Sequence, residues 1–281
     1  MEMFSINTSD GARLTYGLTG PEQGVPVMLC HGLGAGGAQF AEDAEFFASH
    51  GYRVITPDLR GHATSGMPAH IGPEAFSTER LRADLYAMLE HAGMSKVHWV
   101  GNSLGGILGL GVAAEQPKRL QSLSLFGTAL ALDIPAAGWM FPVFDRVPGR
   151  RAMAWLTAQA TTKNKAARPL IADLLRHYDA RAAGFIVDHI RHYDLRDAAS
   201  TWSGPALILV GGRDRAVNKA LLGQLDVLRQ RPNWQIVDLP EGGHCANLDA
   251  TQDWRSALLN FWSVPSFGKT DRDIKKSLYL D

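Results

Sequence analysis

The chain has 281 residues, a formal net charge of +0 and a hydrophobic share of 46%. This length suits one large α/β domain with room for an insertion, and the composition excludes a disordered chain. The neutral balance disfavours nucleic acid or an anionic membrane as the main partner, because either normally selects a basic excess.

Cysteine content and the N-terminus bear on location. Two cysteines, Cys30 and Cys245, are too few for a disulfide scaffold. The opening residues MEMFSINTSDG lack the apolar core of a secretory signal. No stretch approaches the ~18 apolar residues of a membrane-spanning helix. We therefore expect a cytoplasmic protein with reduced cysteines and no integral membrane segment.

Short apolar runs alternate with helical patterns through the first half of the chain, which predicts a mainly parallel sheet flanked by helices. The Asp10-Gly11 pair marks a hairpin turn between the first two runs. The strand-like runs are FSIN, ARLTYGLT, VPVML, YRVITP, KVHWV and LSLFG. Helices are predicted over residues 39–50, 78–91 and 104–116.

The alternation stops at about residue 132 and resumes at about residue 204 with PALILV, WQIVDL and a helix over 254–262. Between these points the pattern predicts helices over 150–160, 167–178 and 182–193, and no strand. We therefore expect an α/β core formed by residues 1–131 and 204–265. Residues 132–203 are predicted to form a helical cap above the carboxyl edge of the sheet, and residues 266–281 a flexible tail.

The segment GNSLG, residues 101–105, fits the pattern G-x-S-x-G between the strand KVHWV and a glycine-rich helical stretch. A tight strand-to-helix turn of this kind lifts the serine hydroxyl above the sheet and requires small residues on both sides. The helix N-terminus adds free N–H groups that stabilise negative charge. Ser103 is therefore predicted to be a nucleophile.

A nucleophilic serine needs a general base, and after this type of turn the acid and then the histidine follow along the chain. His244 lies in the loop LPEGGHCAN after the strand WQIVDL and is the predicted base. The other histidines downstream of Ser103 all fall in the insertion: His177, His189 and His192.

The acid that orients the base is predicted to be Asp214, which directly follows the strand PALILVGG and precedes His244. Asp133, one strand earlier, is the alternative. Asp238 lies inside a predicted strand and is expected to face away from the site.

The motifs HGLG, DLRGH, GNSLGG, GGRD and GGH resemble the α/β-hydrolase superfamily over residues 4–262. The resemblance implies an α/β-hydrolase fold and a Ser-His-Asp triad with no metal or organic cofactor. It also implies that the backbone N–H groups of Leu33 and Leu104 form the oxyanion hole. One departure is Ala63, which stands where the family pattern D-x-x-G-H-G-x-S has its second glycine, and it raises a question about the shape of that loop.

The same glycine-rich stretch also fits a dinucleotide-binding fingerprint, Gly32-x-Gly34-x-x-Gly37, followed by Asp58. This interpretation is disfavoured because it leaves the nucleophile turn, the acid and the histidine unexplained. It also puts the polar His31 where a buried apolar strand residue is expected. In addition, two predicted strands precede the strand that should be the first of a dinucleotide-binding fold.

The predicted function is hydrolysis of a carboxylic ester or lactone through an acyl-enzyme. C–C bond hydrolysis of a ring-cleavage product and enol-lactone hydrolysis are alternatives that the resemblance suggests. Against C–C hydrolysis, Cys245 follows the predicted base where those relatives carry an aromatic residue. A non-catalytic small-molecule receptor on the same fold is the alternative from another class. Fold does not determine the substrate, and the oligomeric state cannot be predicted.

An apolar cluster opens the insertion and contains Trp139, Phe141 and Phe144. These three residues are predicted to line a substrate pocket, although packing of the cap on the core is the simpler explanation. Membrane docking is less favoured, because the cluster is expected to lack flanking basic residues.

Two further features have ordinary explanations. His189-x-x-His192 has the spacing of metal ligands on a helix, but no third ligand is specified and an exposed polar face explains it. Cys30 and Cys245 each adjoin an active-site motif and are expected to be buried fillers. The sharper hypothesis is that thiol reagents acting on them would hinder substrate.

Overall fold

The computed structural model describes residues 1–263. Its strands are β1 (Glu2–Asn7), β2 (Arg13–Thr19), β3 (Val25–Cys30), β4 (Tyr52–Asp58), β5 (Val97–Asn102), β6 (Leu120–Phe126), β7 (Ala131–Asp133), β8 (His192–Asp194), β9 (Ala206–Gly211) and β10 (Trp234–Leu239). Its helices are α1 (Ala41–Ser49), α2 (Thr78–His91), α3 (Leu104–Glu115), α4 (Met140–Phe144), α5 (Arg150–Thr161), α6 (Arg168–Leu174), α7 (Ala180–Ile190), α8 (Arg196–Thr201), α9 (Arg215–Arg229), α10 (Ala246–Asp249) and α11 (Thr251–Ser263).

Eight of the strands form one sheet in the order β1-β2-β4-β3-β5-β6-β9-β10. β2 pairs antiparallel with β1 and with β4, and all other neighbours in this sheet are parallel. This confirms the predicted mainly parallel sheet with helices between its strands.

Apolar side chains cover both faces of the sheet, because successive residues of a strand point to opposite sides. Val27 and Leu29 of β3 pack in one cluster with α1 and α11. Met28 and Cys30 pack in the other cluster with α2, α3 and α9. The central strand β5 is buried along its whole length, as expected for a strand covered on both faces.

The carboxyl ends of the parallel strands meet at one edge of the sheet. Ser103 follows β5, Asp214 follows β9 shortly after its end, and His244 lies in the loop after β10. Ligands of open α/β sheets bind outside this edge, so the order of strands brings the three predicted residues to the same part of the molecule.

The segment between β6 and β9 is mostly helical, with α4 to α8. The prediction that it contains no strand is wrong. β7 and β8 pair antiparallel in a separate ribbon, with Leu132 opposite Tyr193. Each strand has three residues, and the partners are about 60 residues apart, so a search for local alternation does not find them.

Two predictions concern the C-terminal tail and membrane-spanning helices. The predicted tail, residues 266–281, lies outside the described residues. Among residues 1–263, no helix combines the length and the apolar character needed to cross a bilayer.

Candidate active site

Ser103 occupies the turn between β5 and α3 with φ 52° and ψ −114°, a conformation that L residues rarely adopt. A Cβ on Gly101 would lie 2.4 Å from the Gly105 carbonyl carbon, and a Cβ on Gly105 would lie 2.2 Å from the Cys30 carbonyl oxygen. Glycine is therefore required on both sides of Ser103, which is the physical content of the G-x-S-x-G pattern.

Backbone N–H groups near Ser103 differ in whether they have a protein acceptor. The Ser103 N–H donates to the Phe126 carbonyl at 3.0 Å. Within residues 1–263, the N–H groups of Leu33 and Leu104 donate to no protein acceptor. Both residues border the site: Leu104 opens α3, and Leu33 lines the same cavity as Ser103. This leaves two donors available to an anion, one of them at a helix N-terminus.

The loop that carries Leu33 is held by a buried histidine. The Leu59 N–H donates to Nε2 of His31 at 3.0 Å, so Nε2 carries no proton and Nδ1–H donates to the Gly32 carbonyl at 2.7 Å. Burial lowers the pKa of His31, which keeps the ring neutral. His31 is thus a structural group of the loop.

His244 and Asp214 form a direct contact, with 2.8 Å between Nδ1 of the ring and Oδ2 of the carboxylate. Asp214 is buried, and its other oxygen accepts from the Val217 N–H at 3.4 Å at the start of α9. This bond puts the proton of a neutral His244 on Nδ1 and leaves Nε2 as an acceptor.

Ser103 and His244 line one cavity of about 70 Å³, together with Leu33 and Cys245. Within the described chain, the Ser103 hydroxyl and the His244 ring form no direct hydrogen bond. Catalytic hydrogen bonds are often long in unliganded enzymes and shorten when substrate binds. The cavity can hold a small group such as a short acyl chain beside both side chains.

A buried polar network supports the His244 loop. Nδ2 of Asn102 donates to the His244 carbonyl at 3.0 Å, and Oδ1 of Asn102 accepts from Gln39 at 3.1 Å. Gln39 also donates to Asn247, and Asn247 donates to Asp43 at 2.9 Å. The network joins the turn that carries Ser103 to the loop that carries His244.

Gln39 and Asn247, which form part of this network, were not predicted from the sequence. They are 208 positions apart, and neither belongs to a recognisable motif. Asn102 offered the only signal, since it lies inside the nucleophile turn.

A second cavity of about 180 Å³ adjoins the first and shares Leu33, Thr157 and Leu175 with it. Phe141 and Phe144 line this second cavity, where they were predicted to contribute to a pocket. Trp139 is not among the lining residues of either cavity, and 70% of its surface is exposed, so its contribution to a substrate pocket stays a prediction. It precedes α4 on the solvent side.

The other two aspartates that were considered for the orienting role, Asp133 and Asp238, lie on β7 and β10. Asp133 is exposed on β7 and bonds to Nδ1 of His192 at 2.7 Å, and Asp238 is exposed on β10. His189 lies in the last turn of α7 whereas His192 begins β8, so the two residues do not share a helix face as their spacing suggested. In the part of the chain that the structure describes, no cluster of three or more metal-ligating side chains occurs.

Both cysteines are buried and free. Cys245 lines the cavity with Ser103, and burial together with Asp249 and Asp214 raises the pKa of its thiol to about 12. Burial also raises the pKa of the Cys30 thiol. Protonated, buried thiols react slowly, which fits the role of apolar fillers.

Comparison with known proteins agrees with this architecture. A sequence model of the α/β hydrolase fold matches residues 25–169, which is more than half of the chain. The chain belongs to the α/β-hydrolase fold family, as the motifs indicated.

Two curated relatives and one solved structure illustrate the range of the family. The chain is 27% identical to the dihydrolipoyllysine-residue acetyltransferase component of an acetoin cleaving system from Pseudomonas putida, over 89% of this chain and 67% of that protein. It is 32% identical to Lipase 1 of Psychrobacter immobilis over 46% of this chain and 39% of the lipase. The chain thus spans about two fifths to two thirds of the length of these relatives.

The crystal structure of the enol-lactonase from Burkholderia xenovorans LB400 superposes with a TM-score of 0.78 at 23% identity, covering 90% of this chain and 97% of that one. At this identity the likeness concerns the fold alone.

Proposed function

We propose that this protein is a serine hydrolase that cleaves carboxylic esters, with Ser103 as nucleophile, His244 as general base and Asp214 as the orienting acid. The contact of 2.8 Å between His244 and Asp214, beside a cavity that Ser103 also lines, carries the proposal. Because this contact places the proton of a neutral ring on Nδ1, Nε2 of His244 is unprotonated and can accept the Ser103 proton.

In the first half-reaction, the Ser103 oxygen attacks the ester carbonyl carbon while Nε2 of His244 takes the hydroxyl proton. The carbonyl electrons move to the oxygen, and the N–H groups of Leu33 and Leu104 bind this oxyanion. Each such donor lowers a barrier of this kind by about 3 kcal/mol. The C–O bond then breaks, and the His244 imidazolium returns the proton to the departing alcohol.

The second half-reaction releases the acid. Water attacks the acyl-enzyme carbonyl as His244 removes one proton, and the Ser103 oxygen leaves with that proton. The carboxylate of Asp214 stabilises the imidazolium in both halves without taking its proton. The overall balance is ester plus water giving acid plus alcohol.

The division of the chain is part of the proposal. Residues 1–131 and 204–265 would form the hydrolase core, and residues 132–203 a cap whose helices select the substrate. Its support is the second cavity, which Phe141 and Phe144 line from the insertion and Leu33 from the core. The cytoplasmic location stays a prediction.

The decisive experiment compares the wild type with Ser103→Ala on a panel of p-nitrophenyl esters of increasing chain length, lactones and ring-cleavage dienoates. We expect ester turnover that falls at least 10³-fold in the variant, by analogy with other triads. Ser95→Ala, at an exposed serine before β5, is the matched control and should retain full activity.

An active-serine probe distinguishes the remaining outcomes. Labelling of wild type, but not of Ser103→Ala, by a fluorophosphonate is expected. Preferred turnover of a lactone or dienoate would change the substrate class. Binding of small esters without labelling or turnover would support a receptor and contradict the proposal.

A further inference from the structure

Exposed apolar side chains are concentrated in one segment of the insertion. Residues 1–263 contain twelve large hydrophobic residues with exposed surfaces, and seven of them lie between positions 139 and 170. These seven are Trp139, Val143, Phe144, Val147, Trp155, Leu156 and Leu170. Such a concentration of exposed apolar surface is unusual on a protein that stays in water and marks an interaction site.

The two helices that carry most of these residues lie on either side of the second cavity. Phe141 of α4 and Met153 of α5 both line that cavity. On α5, Ala154 and Ala158 are buried, whereas Trp155 and Leu156 are exposed. The outer sides of α4 and α5 therefore flank the cavity that joins the Ser103 site.

The same segment is strongly basic. Residues 134–172 contain six arginines and lysines and a single acidic residue, Asp145, which pairs with Arg150. Arg146 and Arg151 are exposed, and Arg151 lies one turn before Trp155 on the outer side of α5. Because the whole chain has a net charge of +0, the rest of the chain carries the compensating negative excess.

We propose that this insertion face (Trp139, Val143, Arg146, Val147, Arg151, Trp155 and Leu156) docks on the surface of an anionic lipid bilayer. Exposed tryptophans and aliphatic side chains interleaved with arginines are the composition that binds the headgroup region of such membranes. The net charge of the whole chain and the expected lack of basic residues beside the apolar cluster disfavoured this partner, but the exposed Arg146 and Arg151 lie in the same segment and supply the positive charge.

The composition also decides between lipid and other occupants. A second copy of the chain would bring two positive faces together, which electrostatic repulsion opposes. Nucleic acid would use the arginines but would leave Val143, Val147 and Leu156 exposed to water. A bilayer satisfies both the charge and the apolar surface.

The test uses the full chain carrying Ser103→Ala, so that binding is measured apart from turnover. We expect it to sediment with vesicles of phosphatidylglycerol and phosphatidylcholine, not with pure phosphatidylcholine, and to be released at ~0.5 M NaCl, where charges are strongly screened. Adding Arg146→Gln and Arg151→Gln should weaken binding about 25-fold, since each basic residue near such a surface contributes about fivefold.

Matched pairs of variants test whether vesicle binding depends on the insertion face. Lys96→Gln with Lys118→Gln removes two exposed charges near the opposite edge of the sheet and should leave binding unchanged. Val143→Ser with Leu156→Ser should weaken vesicle binding. Val227→Ser with Leu222→Ser on α9 is the matched control and should not, since Leu222 is 54% exposed and Leu156 is 57% exposed.

Three outcomes would overturn the proposal. These are absence of vesicle binding, equal binding to neutral and anionic vesicles, and equal losses in both members of a matched pair. Self-association that Val143→Ser with Leu156→Ser abolishes, without vesicle binding, would assign the face to a second copy instead. Because the measurement needs no catalysis, its outcome is independent of the ester-hydrolase proposal.

Discussion

Within residues 1–263, Ser103 and Ala63 are the non-glycine residues with positive φ, at 52° and 46°. The strain at Ser103 presents its hydroxyl to the cavity. Ala63 stands where the family pattern has glycine, and it still adopts the left-handed conformation that glycine favours, at a cost of about 1 kcal/mol. The departure from the pattern therefore adds strain to this loop while its backbone conformation remains of the glycine type.

A change at Asp214 tests the orientation of the base. Asp214→Asn keeps the size of the side chain and an acceptor for the Val217 N–H, but its amide no longer favours the required tautomer and charge of His244. We expect kcat to fall by about 10⁴-fold, the effect of this change in a comparable triad, with little change in Tm.

Asp133→Asn is the control for this prediction, because Asp133 was the alternative acid and contacts His192 instead. Ester hydrolysis assays should show wild-type kcat for this control. A large loss in Asp133→Asn together with near-normal kcat in Asp214→Asn would assign the orienting role to Asp133.

At the scale of elements, the glycines of α3 let the helix approach the sheet closely. Gly109 leaves no room for a side chain, because a Cβ there would lie 2.5 Å from Nε1 of Trp99 on β5. Trp99 in turn donates from Nε1 to the Gly105 carbonyl at 3.0 Å. The poor helix propensity of glycine is offset by this contact between α3 and the sheet.

A pair of Gly→Ala substitutions separates packing from propensity. Gly105→Ala should destabilise the fold by about 3 kcal/mol, because the added carbon meets the backbone of β3 rather than a movable side chain. Gly223→Ala on α9, with no atom within 4 Å of the added carbon, should stabilise by about 0.5–1 kcal/mol. Urea unfolding measures both, and a tolerated Gly105→Ala would show that α3 can move away from the sheet.

For the whole molecule, buried histidines link stability to pH. Burial and the neighbouring His31 lower the pKa of His62 from 6.5 to about 4, and burial with Lys96 lowers that of His98 to about 4. In the unfolded chain these rings protonate near pH 6.5. As the pH falls from 6.5 to 4, the unfolded state binds protons that the folded state excludes. The contribution of these histidines to the free energy of unfolding is therefore fully present above pH 6.5 and declines below it.

The contribution of one ring is measurable by difference. His62→Gln should reduce the dependence of the unfolding free energy on pH by up to about 1.4 kcal/mol per pH unit between pH 6 and 4.5. Urea titrations across this interval give the slope. His70→Gln, at a fully exposed histidine, should leave the slope unchanged; an unaltered slope in His62→Gln would contradict a neutral buried His62.

Much of the fold was predictable because its signals are local. The helix expected over residues 78–91 is α2 with the same bounds, since Ser77 caps its first turn and Leu81, Leu85 and Leu89 form its buried side. The strands of the main sheet were likewise visible as apolar runs between turn residues. The helix α9 had no place in the predicted alternation, although its apolar residues Leu221, Leu225 and Leu228 follow a helical period.

The three residues of the proposed triad can be named from the sequence, whereas the residues that support them cannot. Chain order and position after strands single out Ser103, Asp214 and His244, because parallel strands end at a common edge. Gln39 and Asn247, which hold the histidine loop through Asn102, follow no local rule. Their partners come from segments that only the folded chain brings together.

The sequence by itself determined the class of fold and indicated the residues that we propose to carry the chemistry, since turn geometry, strand periodicity and helix capping act over a few residues. The tertiary structure alone decided the pairing of β7 with β8, the separation of His189 from His192, and the outward position of Trp139. It also decided which side of α5 is buried, with Ala154 and Ala158 covered and Trp155 and Leu156 exposed. These features depend on contacts between distant segments, which are selected by the packing of the whole chain and leave no periodic trace in any short stretch of it.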